Sequence, residues 1–162
     1  MNNEDFTVVP VGGLYSEVSA IHESGHAIVA NHYGQRIIKI DITTPTPTCR
    51  HTTTGSDDGE IAVMSLGGVS AQVIWEWPRL TGIWKETRER LARKRLAANS
   101  YDYDVYQRAF SPDNPETFDP HALKALEILT GNWAKVQIIA SHLRTAGKVA
   151  SHEEFLSLLG ES

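Results

Sequence analysis

Ser16-Glu17-Val18-Ser19-Ala20-Ile21-His22-Glu23-Ser24-Gly25-His26-Ala27-Ile28-Val29-Ala30-Asn31-His32-Tyr33 carries helical signals at both ends and an H-E-x-x-H at its centre. Ser16 is a preferred N-cap, Glu17 suits the positive end of a helix, and Gly34 is placed to close it in a left-handed conformation. The spacing of Val18, Ile21, Gly25, Ile28 and Val29 predicts a buried stripe. Residues four apart on a helix share a face, so His22 and His26 are expected at the border of that stripe, both turned toward one ion. Glu23, next to the first histidine, is the candidate general base. Gly25 costs about 1 kcal/mol in a helix interior relative to Ala, which predicts a close neighbour packed against it.

Working outward, Ile37 to Ile42 alternates, with Ile38, Ile40 and Ile42 on one face and Lys39 and Asp41 on the other, the pattern of a half-buried strand. Pro45 and Pro47 interrupt it, and the β-branched run from Cys49 to Thr54 predicts a second strand paired with the first. Asp57 or Asp58 is expected to cap a helix from about Glu60 to Trp75. That helix contains the small-sided Leu66-Gly67-Gly68-Val69-Ser70-Ala71-Gln72, where the H-E-x-x-H helix is expected to cross at Gly25. Upstream, Phe6 to Leu14 reads as a lead-in broken by Pro10, Gly12 and Gly13. Downstream, Trp84 to Asn99 is a charged helical run whose basic end reads as a solvated, ion-paired face. A helix capped by Ser100 should follow, ending before Pro112. Asp119-Pro120 opens a long periodic helix to Gly147, and Ser151 with Glu154 caps a last one to Leu159. The expected class is mainly α (α+β), with a small β-hairpin beside the metal-motif helix.

Composition sets the outer limits. With 162 residues, 41% of them hydrophobic, the chain supports one compact domain over residues 1–162. A net charge of -5 and a pI near 5.8 argue against nucleic acid or an anionic membrane as the main partner. Cys49 is the sole cysteine, which excludes an intrachain disulfide and a Cys-rich zinc site. The N-terminus is polar and acidic, unlike an export signal, and the longest apolar-leaning run, Ile61 to Trp77, is broken by polar residues. A soluble, cytoplasmic protein is the expectation.

Two histidines four apart supply two of the three protein ligands of a catalytic zinc. A third ligand is needed, and the residues offer Glu60, Glu76, Asp102, Asp104 and histidines 32, 51, 121, 142 and 152. None of those histidines completes H-E-x-x-H-x-x-G-x-x-H, because Val29 stands where that pattern has glycine even though His32 falls at its last place, so a carboxylate is the better candidate. Glu23 can accept a proton from water and return it to a leaving amine, which is peptide-bond hydrolysis.

The sequence also resembles a known family. His22-Glu23-Ser24-Gly25-His26-Ala27 is similar to the H-E-A-G-H-A of the FtsH-type zinc proteases, and Ser65-Leu66-Gly67-Gly68-Val69-Ser70-Ala71-Gln72 is similar to their L-G-G-R-A-A-E segment. The order and spacing agree, and the resemblance extends to the strand after the motif helix and to the closing helix. It implies a zinc metallopeptidase that acts on a peptide or protein, with His22, His26 and an aspartate opening a later helix as ligands. Ala98-Asn99-Ser100-Tyr101-Asp102-Tyr103 resembles that aspartate's context, which favours Asp102 over Asp104, with Glu76 a weaker alternative. The departures are Val69 and Gln72 in the second motif and tyrosines after Asp102. No G-x-x-x-x-G-K-[ST] loop occurs in these 162 residues, so an ATP-independent, stand-alone peptidase is expected. Substrate is expected to lie along Ile37 to Ile42. The competing expectations are a non-catalytic zinc- or peptide-binding module on the same scaffold, and a helical interaction domain whose two histidines are merely packed.

Overall fold

The computed structural model describes residues 7–8, 10–77 and 87–161. Helix α1 (Glu17–His32) begins where the Ser16 hydroxyl accepts a hydrogen bond from the Ser19 N–H at 3.2 Å, and the chain leaves it through Gly34 at φ +71°. Every residue from Ala20 to Ala30 is buried. A helix with one apolar face cannot do that, so α1 is enclosed, packed against helices on two sides and the sheet on a third. His22, Glu23 and His26 therefore lie inside the protein rather than at a border, and Val18, in the exposed first turn, stands outside the core.

After α1 come strands β1 (Ile37–Asp41) and β2 (Thr48–His51), paired antiparallel as expected. A third strand, β3 (Lys148–Val149), adds to the other side of β1, giving the order β2-β1-β3. Strand β1 is consequently central, and its backbone is not an open edge for a substrate. The expected alternation also fails there. The register with β2 shifts between Ile37 and Lys39, which makes Ile38 the bulged residue and turns it to solvent, while Ile37, Ile40 and Ile42 are buried. Asp41 is buried too, bonded to the Thr43 hydroxyl at 2.6 Å and paired with Lys39 at 2.7 Å.

The helix expected from Glu60 to Trp75 is two helices, α2 (Asp58–Ser65) and α3 (Gly67–Glu76), broken at Leu66. Asp57 and Glu60 form a reciprocal capping box at the start of α2. Two adjacent glycines weaken helical continuity at the break, and they serve the crossing with α1. A Cβ on Gly25 would stand 2.4 Å from the Gly67 carbonyl oxygen and 2.6 Å from Ala71 Cβ. A Cβ on Gly67 would stand 2.8 Å from the Gly25 oxygen. The two backbones touch with no side chain between them.

Helix α4 (Arg88–Ala97) is capped by Thr87, and the start of the charged run, Trp84 to Glu86, lies outside the described residues. Several of its basic residues are engaged, Arg95 with Glu76 and Arg88 over the Trp77 ring at 5.1 Å. Helix α5 (Ser100–Gln107) is capped by Asn99 rather than Ser100. The expected long helix is again two, α6 (Pro115–Gly131) and α7 (Trp133–Ala146). Asn114 caps α6 five residues earlier than Asp119, with Pro115 in the first turn and Pro120 inside the helix. Gly131-Asn132 breaks the run, the Asn132 amide donating to the Ile128 carbonyl at 2.8 Å. Gly147 at φ +76° ends α7, and α8 (His152–Leu158) is capped by Ser151. The fold is mainly helical with a small antiparallel sheet, and its buried apolar residues form one cluster. Among the described residues no helix is long and apolar enough to cross a membrane.

The crossing predicts an asymmetry between glycines. Gly25→Ala forces backbone apart and is expected to destabilise the metal-free protein by about 3 kcal/mol in urea denaturation. Gly131→Ala, with nothing within 4 Å of the new methyl group, is expected to be neutral or to stabilise by up to about 1 kcal/mol.

Candidate metal centre

Four elements converge on the buried middle of α1. The His22 and His26 rings leave it one turn apart, with centroids 4.8 Å apart. Helix α3 lies so close that a Cβ on Gly68 would fall 2.4 Å from His22 Nε2, so the absent side chain is the space the imidazole occupies. Helix α5 presents Asp102 from its first turn, where unpaired N–H groups favour a carboxylate. Strand β2 runs along the remaining side, where the backbone of Cys49 faces the Glu23 carboxylate closely enough to oppose the rise of its pKa.

Three donor atoms meet there. His22 Nε2 lies 3.1 Å from Asp102 Oδ2, His26 Nε2 lies 3.2 Å from the same oxygen, and the two Nε2 atoms are 3.1 Å apart. The opposite ring nitrogens decide what those atoms carry. His26 Nδ1–H donates to the Met64 carbonyl at 3.0 Å, and His22 Nδ1–H donates to Gln72 Oε1 at 3.0 Å. Both Nε2 atoms are thus the lone-pair side of the ring, facing each other and a carboxylate oxygen. Such a triangle repels itself unless a positive charge is shared among its corners.

The donor set fits a divalent transition metal such as zinc. Tetrahedral zinc with bonds of about 2.0–2.1 Å places its donors about 3.3–3.4 Å apart, close to the spacing found. Both imidazoles also have the outer carbonyl partner that orients a metal-binding histidine. His22, His26 and Asp102 are the group of potential metal-ligating side chains found among the described residues, and all three are buried. Without a metal, a proton takes the central role. Burial opposes a charged His26, but the Asp102 carboxylate outweighs it and raises the histidine's pKa. Burial likewise opposes a charged Asp102, and the two histidines outweigh it and lower that pKa. Glu23 differs, because burial dominates and raises its pKa despite the opposing pull of His26 and His22. A carboxyl group poised in this way can both take up and release a proton.

The other candidate ligands are elsewhere. Asp104 is exposed and accepts from the Gln107 amide at 3.0 Å. Glu60 caps α2, and Glu76 pairs with Arg95. His32 packs edge-on to Tyr33, and His121 bonds the Tyr106 hydroxyl at 2.9 Å. His142 reaches the Lys148 carbonyl, and His152 accepts from the Ile37 N–H. His51 bonds the Thr52 carbonyl through Nδ1. It lies near enough to His26 to feel its charge, and burial lowers its pKa. Sequence reasoning missed Gln72, the Met64 carbonyl, Asn99 and the backbone of Cys49. Of these only Asn99 carried a local signal, since Asn caps helices as well as Ser does. No protein-family model and no curated protein matches the sequence.

The shared proton makes metal binding pH-dependent. A His26 pKa raised in the folded state stabilises the metal-free protein fully below about pH 6.5, and that stabilisation is lost as pH rises through the folded value. Metal must displace this proton, so zinc affinity measured by chelator competition is expected to rise by up to about tenfold between pH 6.5 and 7.5. Thermal unfolding of metal-free protein should shift downward over the alkaline range, and the zinc-loaded protein should not follow it.

Proposed function

We propose that this chain is a zinc-dependent metallopeptidase. The observation that carries the reading is the buried triangle of His22, His26 and Asp102 with the Glu23 carboxylate beside it. A structural site has no use for a neighbouring acid–base group and normally closes its fourth position with a protein ligand. A zinc ion held by these three residues supplies Lewis acidity, polarising a carbonyl and acidifying water.

The chain's own residues account for the remaining steps. Glu23, with proton affinity raised by burial, takes a proton from the attacking water and passes it to the leaving amine. His26 and His22 stay oriented through Met64 and Gln72, so neither ring turns when the charge at the centre changes. Asp102 contributes the negative charge that keeps both imidazoles at the site.

An extended substrate fits the outer edge of β2 better than the central strand β1. The Thr52 N–H donates to the Arg36 carbonyl at 3.0 Å, so alternate residues of this segment bond toward β1, and the backbone of Cys49 faces away from it, toward Glu23. The outer edge of β2 therefore borders the centre, and an extended peptide adding to that edge passes Glu23. The resemblance to FtsH-type proteases belongs to the same proposal.

Metal analysis combined with a casein or peptide-library cleavage assay tests it. Glu23→Gln is expected to retain zinc and lose cleavage by a factor of at least about 100. Asp102→Ala is expected to lose zinc affinity as well as cleavage. Zinc held by wild-type protein that cleaves nothing would replace the peptidase with a binding module, and absence of zinc would end both readings.

A further inference from the structure

Asn99 stands half-buried at the N-terminus of α5, immediately outside the triangle. Its Oδ1 accepts from the backbone N–H of Asp102 at 3.2 Å, which caps the helix and fixes the two ends of the amide. The Nδ2 end is therefore turned to the metal centre, 3.4 Å from His22 Nε2. That separation is long for a hydrogen bond. The acceptor it faces is the same His22 lone pair that a metal would take, because the other ring nitrogen is committed to Gln72.

The choice of residue adds to the geometry. Ser, Thr, Asp and Asn all cap helices well, and any of them would hold the Asp102 N–H. Ser and Thr offer a single hydroxyl, and Asp would place a second carboxylate beside Asp102. Only Asn caps with one atom and presents N–H donors with another. A metal on the triangle removes the acceptor that Nδ2 now faces, and an oxygen atom of a molecule bound beside the metal can replace it.

We propose that Asn99 is a ligand-binding residue of this centre, its Nδ2–H donating to a carbonyl or anionic oxygen of whatever molecule binds at the metal. In peptide cleavage that oxygen is the substrate carbonyl, on which negative charge grows as water adds. The proposal rests on the metal-centre reading above, and it assigns to the N-cap of α5 a second role besides positioning Asp102.

The test uses the zinc-loaded full chain and two small probes. Acetohydroxamate binds zinc through oxygen atoms able to accept from Asn99, whereas imidazole binds through nitrogen and has no oxygen. Asn99→Ser and Asn99→Asp both keep a capping oxygen, so both are expected to hold zinc with wild-type stoichiometry. Calorimetric titration should show acetohydroxamate weakened by about tenfold in Asn99→Ser, and further in Asn99→Asp, where a negative charge replaces the donor. Imidazole should bind all three proteins within about twofold. Unchanged acetohydroxamate affinity overturns the proposal. Parallel weakening of both probes, or loss of zinc from the variants, overturns it as well, since either marks a purely structural cap. Failure of the wild type to bind zinc would instead remove the metal centre itself, and Asn99's role with it.

Discussion

The contact between the backbones of α1 and α3, made through Gly25, Gly67 and the neighbouring Ala71, is the constraint from which the rest of the centre follows. At ordinary helix separations the side chains of α3 would stand between the two axes and the His22 ring would have no room. With the axes drawn together, Gly68 lies against that ring and Gln72, one turn further on, reaches its Nδ1. The same approach breaks α2 from α3 at Leu66. Met64 thereby falls in the last turn of α2, where carbonyls run out of intrahelical partners, and its oxygen takes the His26 Nδ1–H. One packing decision thus orients both histidines.

Burial then sets the chemistry. Three lone-pair atoms held 3.1–3.2 Å apart in a poorly solvated interior are stable only around a cation or a shared proton. The opposite responses of the neighbouring carboxyl groups reflect what each one faces. Asp102 sits against both imidazoles and stays ionised, while Glu23 responds mainly to burial and gains proton affinity. Two carboxyl groups in one small volume acquire the two different characters that a ligand and a proton carrier require.

Local signals made much of this legible. The α1 limits follow from Ser16 and Gly34 and the hairpin from the prolines between two β-branched runs, while the aspartate near the start of a later helix is implied by the family resemblance of Ala98 to Tyr103. The failures were at places where a long-range contact overrules a local pattern. Strand β3 is two residues long and exists because the Gly147 turn lays it on β1. The bulge at Ile38 reverses a regular-looking alternation, and the apolar periodicity continues across Leu66 and Asn132, where the chain nevertheless divides into separate helices.

By itself the sequence determined the helix class, the two histidines and the glutamate on one helix, and the glycines that demand a close neighbour, because each is a property of spacing within a few turns. The resemblance favours Asp102 over Asp104, and it is the tertiary structure that brings Asp102 and not Asp104 to the triangle. Both aspartates belong to the same short helix two residues apart, and only the direction in which α5 packs turns one inward and leaves the other in solvent. It also decided which edge of the sheet borders the centre. The strand on the other side of β1, β3, comes from a segment more than a hundred residues further along the chain, and no local pattern records it.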